Sequence, residues 1–122
     1  MSKIVFSEPA EYDLLGIEYY IYKNLCNPQA SKRITDGIID TIERASINPE
    51  SYPLVADELL CRMKLRMAYF DNYNIFYYYD KEENLIYIVR ILYNKMDWNK
   101  LRTFKWQSSF GSWLSISAKR RL

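Results

Sequence analysis

Residues 64–98, KLRMAYFDNYNIFYYYDKEENLIYIVRILYNKMDW, constrain the fold more than any other part of the chain. The segment divides into three strand-like runs separated by two turn clusters. From Arg62 the period is two: Met63, Leu65, Met67 and Tyr69 interleave with Arg62, Lys64, Arg66 and Ala68, the alternation of a β-strand. Asp71-Asn72 supplies a turn, and residues 73–79 (YNIFYYY) form a second, aromatic-rich run. Residues 80–84 (DKEEN) read as a five-residue hairpin loop before a third run, residues 85–93 (LIYIVRILY). That third run is apolar on both faces, so it is expected to lie centrally in the sheet. Such a sheet needs a second layer to cover it.

The first half of the chain supplies that layer. A short β-prone run, KIVF at residues 3–6, precedes Ser7, a natural N-cap, and Pro9, suited to a first helical turn. Glu8 and Glu11 stand where a helix dipole favours negative charge. Ala10, Leu14, Ile17, Ile21 and Leu25 recur at steps of three and four, one face of a helix over residues 10–25. Tyr12, Tyr19, Tyr20 and Tyr22 surround that stripe. Residues 24–28 break the helix, and a second follows over residues 28–46 with Ala30, Ile34, Ile38, Ile42 and Ala45 on one side. Asn48-Pro49 ends it. The short connection predicts an antiparallel hairpin. Residues 50–60 read as irregular, with one helical turn near Asp57.

The expected architecture is therefore α+β, two-layer, β-α-α-β-β-β, with an antiparallel sheet packed against an antiparallel helical hairpin. Residues 1–101 read as one domain. Residues 102–122 have no clean period and read as a basic, loosely ordered C-terminal extension.

Charge separates the same two parts. Residues 1–101 hold 12 Lys+Arg against 15 Asp+Glu, a net of −3, whereas residues 102–122 hold five basic residues and no acid. With two separated cysteines, Cys26 and Cys61, and no histidine, neither a disulfide framework nor a zinc site is expected. No cofactor is expected. The opening MSKIVFSEP lacks the apolar core of a secretory signal, and no stretch approaches the ~20 apolar residues of a membrane span. A cytoplasmic protein with no membrane partner is the expectation.

Two features carry candidate chemistry. Arg62, Lys64 and Arg66 alternate along one run. In a strand they would share a face and make a phosphate-sized patch for nucleic acid or an acidic partner, or a solvated edge. Arg90 interrupts the apolar run YIVRILY. It reads either as an arginine projecting into a concave site or as a core-edge arginine paired with a carboxylate such as Asp80 or Asp97. Metal-free RNA cleavage needs a base, phosphate-binding cations and an acid. Without histidine the available set is Lys64, Arg66, Arg90, Tyr93 and Lys95, and spacing alone does not make it converge. No serine triad or glycine-rich phosphate loop is present in the sequence.

Four segments, in order, resemble one family, the RelE/ParE toxins of type II toxin–antitoxin systems (plasmid stabilisation proteins). IVFSEPAEYDLLGIEYYI is similar to their opening strand and first helix, with Ser7, Ala10 and Asp13-Leu14 at matching places. Ile47-Asn48-Pro49 through Tyr52-Pro53 resembles the segment after their second helix. LRMAYFDNYNIFYYYD resembles their arginine followed by NY-x-IFY, with Arg66, Asn72, Tyr73, Ile75, Phe76 and Tyr77. IVRILYNKMDW resembles the final strand and closing turn, with Arg90, Lys95, Asp97 and Trp98. The resemblance spans residues 3–101. It implies a growth-arresting toxin held as a hetero-oligomer by a cognate antitoxin, with Arg62, Lys64, Arg66, Tyr73, Arg90, Lys95 and Trp98 as target- or antitoxin-binding candidates.

The superfamily contains two activities. ParE-like members poison DNA gyrase without a known catalytic residue. RelE-like members are mRNA interferases that cut mRNA on the ribosome. Asn74 stands where RelE-type nucleases place an arginine, and the His-Tyr pair that ends some nuclease branches has no counterpart. The resemblance therefore implies the gyrase-directed branch, with the ribosome-dependent nuclease second and a toxin fold without toxicity third. Family members commonly end near the position of Leu101, so residues 102–122 depart from the pattern.

Overall fold

Ser7 separates the first strand from the first helix and ties both to the far end of the fold. A computed structural model describes residues 1–94 of the chain. In it β1 (Lys3–Phe6) ends at Ser7, whose Oγ accepts from Ala10 N at 3.1 Å and donates to Val89 O at 2.7 Å. That N-cap starts α1 (Glu8–Leu25), with Glu8 and Glu11 in the first turn. Cys26 takes a left-handed conformation, and the Asn27 side chain accepts from Gln29 N and Ala30 N to start α2 (Pro28–Ile47). The two-residue connection makes the expected helical hairpin.

Next comes a difference from the sequence reading. Asp57 caps a five-residue helix, α3 (Glu58–Arg62), through Leu59 N and Leu60 N. Arg62 therefore ends a helix, Lys64 turns the chain with a positive φ of 57°, and the strand starts only at Leu65. The alternation seen from Arg62 begins three residues too early, because Met63, which caps the helix, happens to fall in phase with Leu65 and Met67.

β2 (Leu65–Phe70), β3 (Tyr73–Asp80) and β4 (Leu85–Tyr93) follow. The sheet order is β1-β4-β3-β2. The last three strands pair antiparallel, but β1 pairs parallel with β4. The sheet is thus mixed rather than wholly antiparallel, because the helical hairpin carries the chain across the sheet. β4 is central, between β1 and β3, as its two apolar faces require.

One face carries the main core: Ile34, Ile38 and Ile42 of α2, with Ala10 and Ile21 of α1, pack on Ile75, Tyr77, Ile86, Ile88 and Ile91. Each fully buried isoleucine contributes roughly 1.5–3 kcal/mol. The other face is covered near α3 by Val55, Leu60, Leu65, Phe76, Val89 and Leu92. α2 and β2 approach closely at one point. A Cβ on Gly37 would stand 2.1 Å from the Phe70 ring, so any larger residue requires that ring to shift. Among the described residues no helix is long and apolar enough to cross a membrane. The extension at residues 102–122 and the expected closing turns at 95–101 lie outside the described residues.

Candidate functional site

A register shift in the central strand organises the functional end of the sheet. Phe76 pairs with Arg90 and Tyr77 pairs with Ile88, so Val89 has no opposite residue. Before this bulge Ile86 and Ile88 face the helices. After it Ile91 does, while Val89 and Leu92 join the opposite cluster. Arg90 sits at the change of phase, and a bulge is a common device for re-aiming one side chain.

That side chain meets α1. Arg90 Nε donates to Asp13 Oδ2 at 2.7 Å and Nη2 to Asp13 Oδ1 at 2.8 Å. Ile91 N donates to the same carboxylate at 3.0 Å. The two side chains are 15% and 14% exposed. Arg90's carboxylate is therefore Asp13, not Asp80, which lies at the far end of β3; Asp97 lies outside the described residues. Together Ser7, at the cap, and Asp13, in the second turn, fasten the start of α1 to residues 88–91. Sequence reading missed Asp13 as a partner. The available signal was an acid sharing the inward face of a helix with Ala10, Leu14 and Ile17.

Arg66 is also engaged. It donates to Tyr52 O at 2.6 Å and to Glu50 O at 3.3 Å. Residues 53–55 run along β2, with Val55 N donating to Leu65 O and Met67 N to Pro53 O. Arg66 thus pins this connection to what would otherwise be an open sheet edge. Beneath it Tyr77 is fully buried, donates to Pro49 O at 2.6 Å, and meets the Tyr52 ring edge-on. Burial pushes the Tyr77 hydroxyl well above its ordinary range despite the neighbouring Arg66 charge, so it stays protonated.

The expected cation patch is thereby divided. Arg62 pairs with Glu58 on α3 at 2.8 Å, Lys64 is exposed in the left-handed turn, and only Arg66 lies on the strand. Arg66 and Arg90 stand on strands separated by β3, roughly 10 Å of sheet. Tyr93 is at the end of β4, its ring 5.3 Å from that of Tyr73. Lys95 and Trp98 lie outside the described residues.

Beside the Asp13–Arg90 pair opens a groove of about 730 Å³, between α1, the start of α2 and the β2–β3 turn. Tyr12, Tyr20, Tyr73 and Tyr93 form its aromatic wall, and Gly16 keeps the α1 side low. At its rim Arg33 and Asp71 approach at 3.7 Å. Burial, and then the neighbouring Tyr93, Asp71 and Tyr20, raise the Tyr73 hydroxyl above its ordinary value. At neutral pH it is a hydrogen-bond donor rather than a base. An apolar wall with a few polar groups suits a side chain from a protein partner. Among the described residues no group of three acidic or cysteine side chains is placed to hold a metal ion.

Comparison with known proteins matches residues 4–98 to the family model described as the ParE toxin of a type II toxin–antitoxin system, parDE. A search of curated proteins found no significant match. Among solved structures, the chromosomal ParDE toxin–antitoxin system of P. aeruginosa superposes with a TM-score of 0.63 at 14% identity. That match covers 77% of this chain and 97% of the other. The RelBE2 toxin–antitoxin complex of Mycobacterium tuberculosis gives 0.51 at 16% identity, covering 76% and 98%. At these identities the structural likeness speaks to the fold.

Proposed function

The chain belongs to the ParE toxin family of type II toxin–antitoxin systems, and from that premise we propose that it arrests growth by binding and poisoning DNA gyrase and is neutralised by a cognate antitoxin. The observation that carries the choice of target is the dispersal of the candidate catalytic groups. Arg90 is bound bidentately by Asp13, Arg66 holds two carbonyls of its own chain, Lys64 turns a corner, and Tyr93 meets Tyr73 edge-on at the end of β4. General acid–base cleavage requires such groups around one reacting phosphate. A protein-binding toxin needs only a surface.

In this reading residues 1–101 are the toxic domain and act in the cytoplasm, and the tyrosine-walled groove receives an apolar side chain of the antitoxin. Arg62, Lys64, Lys95 and Trp98 are left for target contact. Expression without antitoxin, with pulse labelling of DNA and protein synthesis in one culture, tests it. DNA synthesis stopping first, with an induced damage response, supports gyrase poisoning. Protein synthesis stopping first favours the ribosome-dependent nuclease, and unimpaired growth points to a fold that has lost toxicity.

A further inference from the structure

Helix α1 carries two apolar stripes, and its own fold uses one. Ala10, Leu14, Ile17 and Ile21 face the core. On the opposite side Tyr12, Leu15, Tyr19 and Tyr22 follow one another at steps of three, four and three, and are 57–66% exposed. That spacing is the seam of a two-helix coiled coil, and a contiguous exposed apolar row marks an interaction surface.

We propose that this crest is a self-association surface along which two copies of the chain pair weakly, with their α1 helices parallel. Charge selects both the partner and the direction. Glu11 and Glu18 flank one side of the crest, while Gly16 and Lys23 flank the other. In a parallel pair Glu18 of each copy faces Lys23 of the second copy, the usual flanking arrangement of parallel coiled coils. An antiparallel pair sets acids against acids and lysine against lysine. Lys23 already lies over the crest, its Nζ 5.6 Å from the Tyr19 ring centroid. Gly16 has no heavy atom within 4 Å of where a Cβ would stand. The fold itself therefore does not require a glycine at this helix-interior position, and its absent side chain lets a second crest approach.

The area is adequate for a weak dimer. With aromatic side chains of roughly 200 Å², the exposed parts of the four crest residues amount to about 450 Å² per copy, or about 900 Å² for the pair. Glu18, Lys23 and Cys26 at the margin bring the total near the ~1,000 Å² expected of a specific contact. An interface near this lower limit leaves little surplus over the cost of immobilising two chains, so the association is weak.

The test uses the full chain carrying Cys61→Ser, made by cell-free synthesis, so that Cys26 is its one thiol. Cys26 is exposed and stands four residues beyond Tyr22, in the left-handed cap where the crest ends. Sedimentation equilibrium from about 1 µM to several hundred µM is expected to show a monomer–dimer transition. Mild oxidation is expected to trap a Cys26–Cys26 dimer over the same concentrations. Leu15→Glu and Tyr19→Glu, at exposed positions, are expected to weaken association at least tenfold with circular dichroism and melting temperature unchanged. Monomeric mass throughout, a dimer insensitive to both substitutions, or a dimer without Cys26 crosslinking overturns the proposal.

Discussion

Removing the guanidinium of Arg90 should destabilise the fold more than any single surface change, and the geometry sets the size. Its two donors reach both oxygens of Asp13 at 2.7 and 2.8 Å, and the side chains are about six-sevenths buried. In Arg90→Ala the carboxylate keeps the Ile91 N–H but loses its counter-charge. Breaking a buried pair on one side costs about 3–5 kcal/mol; the residual solvent access at this pair lowers the expectation to about 2–4 kcal/mol. Asp13→Ala takes the carboxylate away from both the guanidinium and an amide of the central strand, so it should cost as much or more. The double variant leaves neither charge unpaired and should fall short of the sum of the singles by about 2 kcal/mol. Urea unfolding of the four proteins at neutral pH measures the cycle. Additive effects within about 0.5 kcal/mol, or either single below about 1 kcal/mol, would refute the structural role. The pair also bears on function: loss of toxicity in Arg90→Ala is expected to accompany loss of stability rather than occur in a fully stable protein.

The two described glycines should respond to alanine in opposite directions. Gly16→Ala meets open space and should stabilise by about 0.5–1 kcal/mol, whereas Gly37→Ala drives a methyl into Phe70 and should destabilise by about 1–3 kcal/mol; thermal melting reads both. Lys64→Gly relieves a positive φ and should leave denaturant stability unchanged or raised by up to ~1 kcal/mol. A fall in toxicity with stability intact would then assign the Lys64 ammonium to target contact. Tyr77, Tyr73 and Tyr78 all have raised hydroxyl pKa values, with burial as the largest cause. The unfolded chain therefore loses these protons first as pH rises past ~10, and stability should fall from there upward. Tyr77→Phe should make that fall shallower in urea unfolding at pH 9–11 while costing about 1 kcal/mol at neutral pH through its lost bond to Pro49 O.

The helices were legible because their signals are local. Ser7, Asn27 and two prolines mark the starts, and the isoleucine stripe of α2 keeps one period throughout. β3 and β4 were legible from their turns. What local signals could not provide was partner choice. The parallel pairing of β1 with β4 joins residues about 80 positions apart. The bulge at Val89 was hidden because both faces of β4 are apolar, the second being covered by the small cluster around Leu60 and Phe76. Arg62 and Lys64 were misplaced because the Asp57 cap captured residues 58–62 for a helix. Arg90 was recognised as needing a carboxylate, yet its partner lies 77 residues away on α1. Arg66 looked like a free surface cation because its acceptors are backbone carbonyls, which carry no mark in a sequence.

The most direct measurement is made with purified components: the full chain added to DNA gyrase and relaxed plasmid, and in parallel to a reconstituted translation system with a defined mRNA. Gyrase poisoning predicts loss of supercoiling with accumulation of cleaved plasmid–gyrase complexes, while the mRNA stays intact on the ribosome. Codon-linked cuts in the mRNA with gyrase unaffected would contradict it, and would return Lys64, Arg66, Arg90, Tyr93 and Lys95 to the role of catalytic groups.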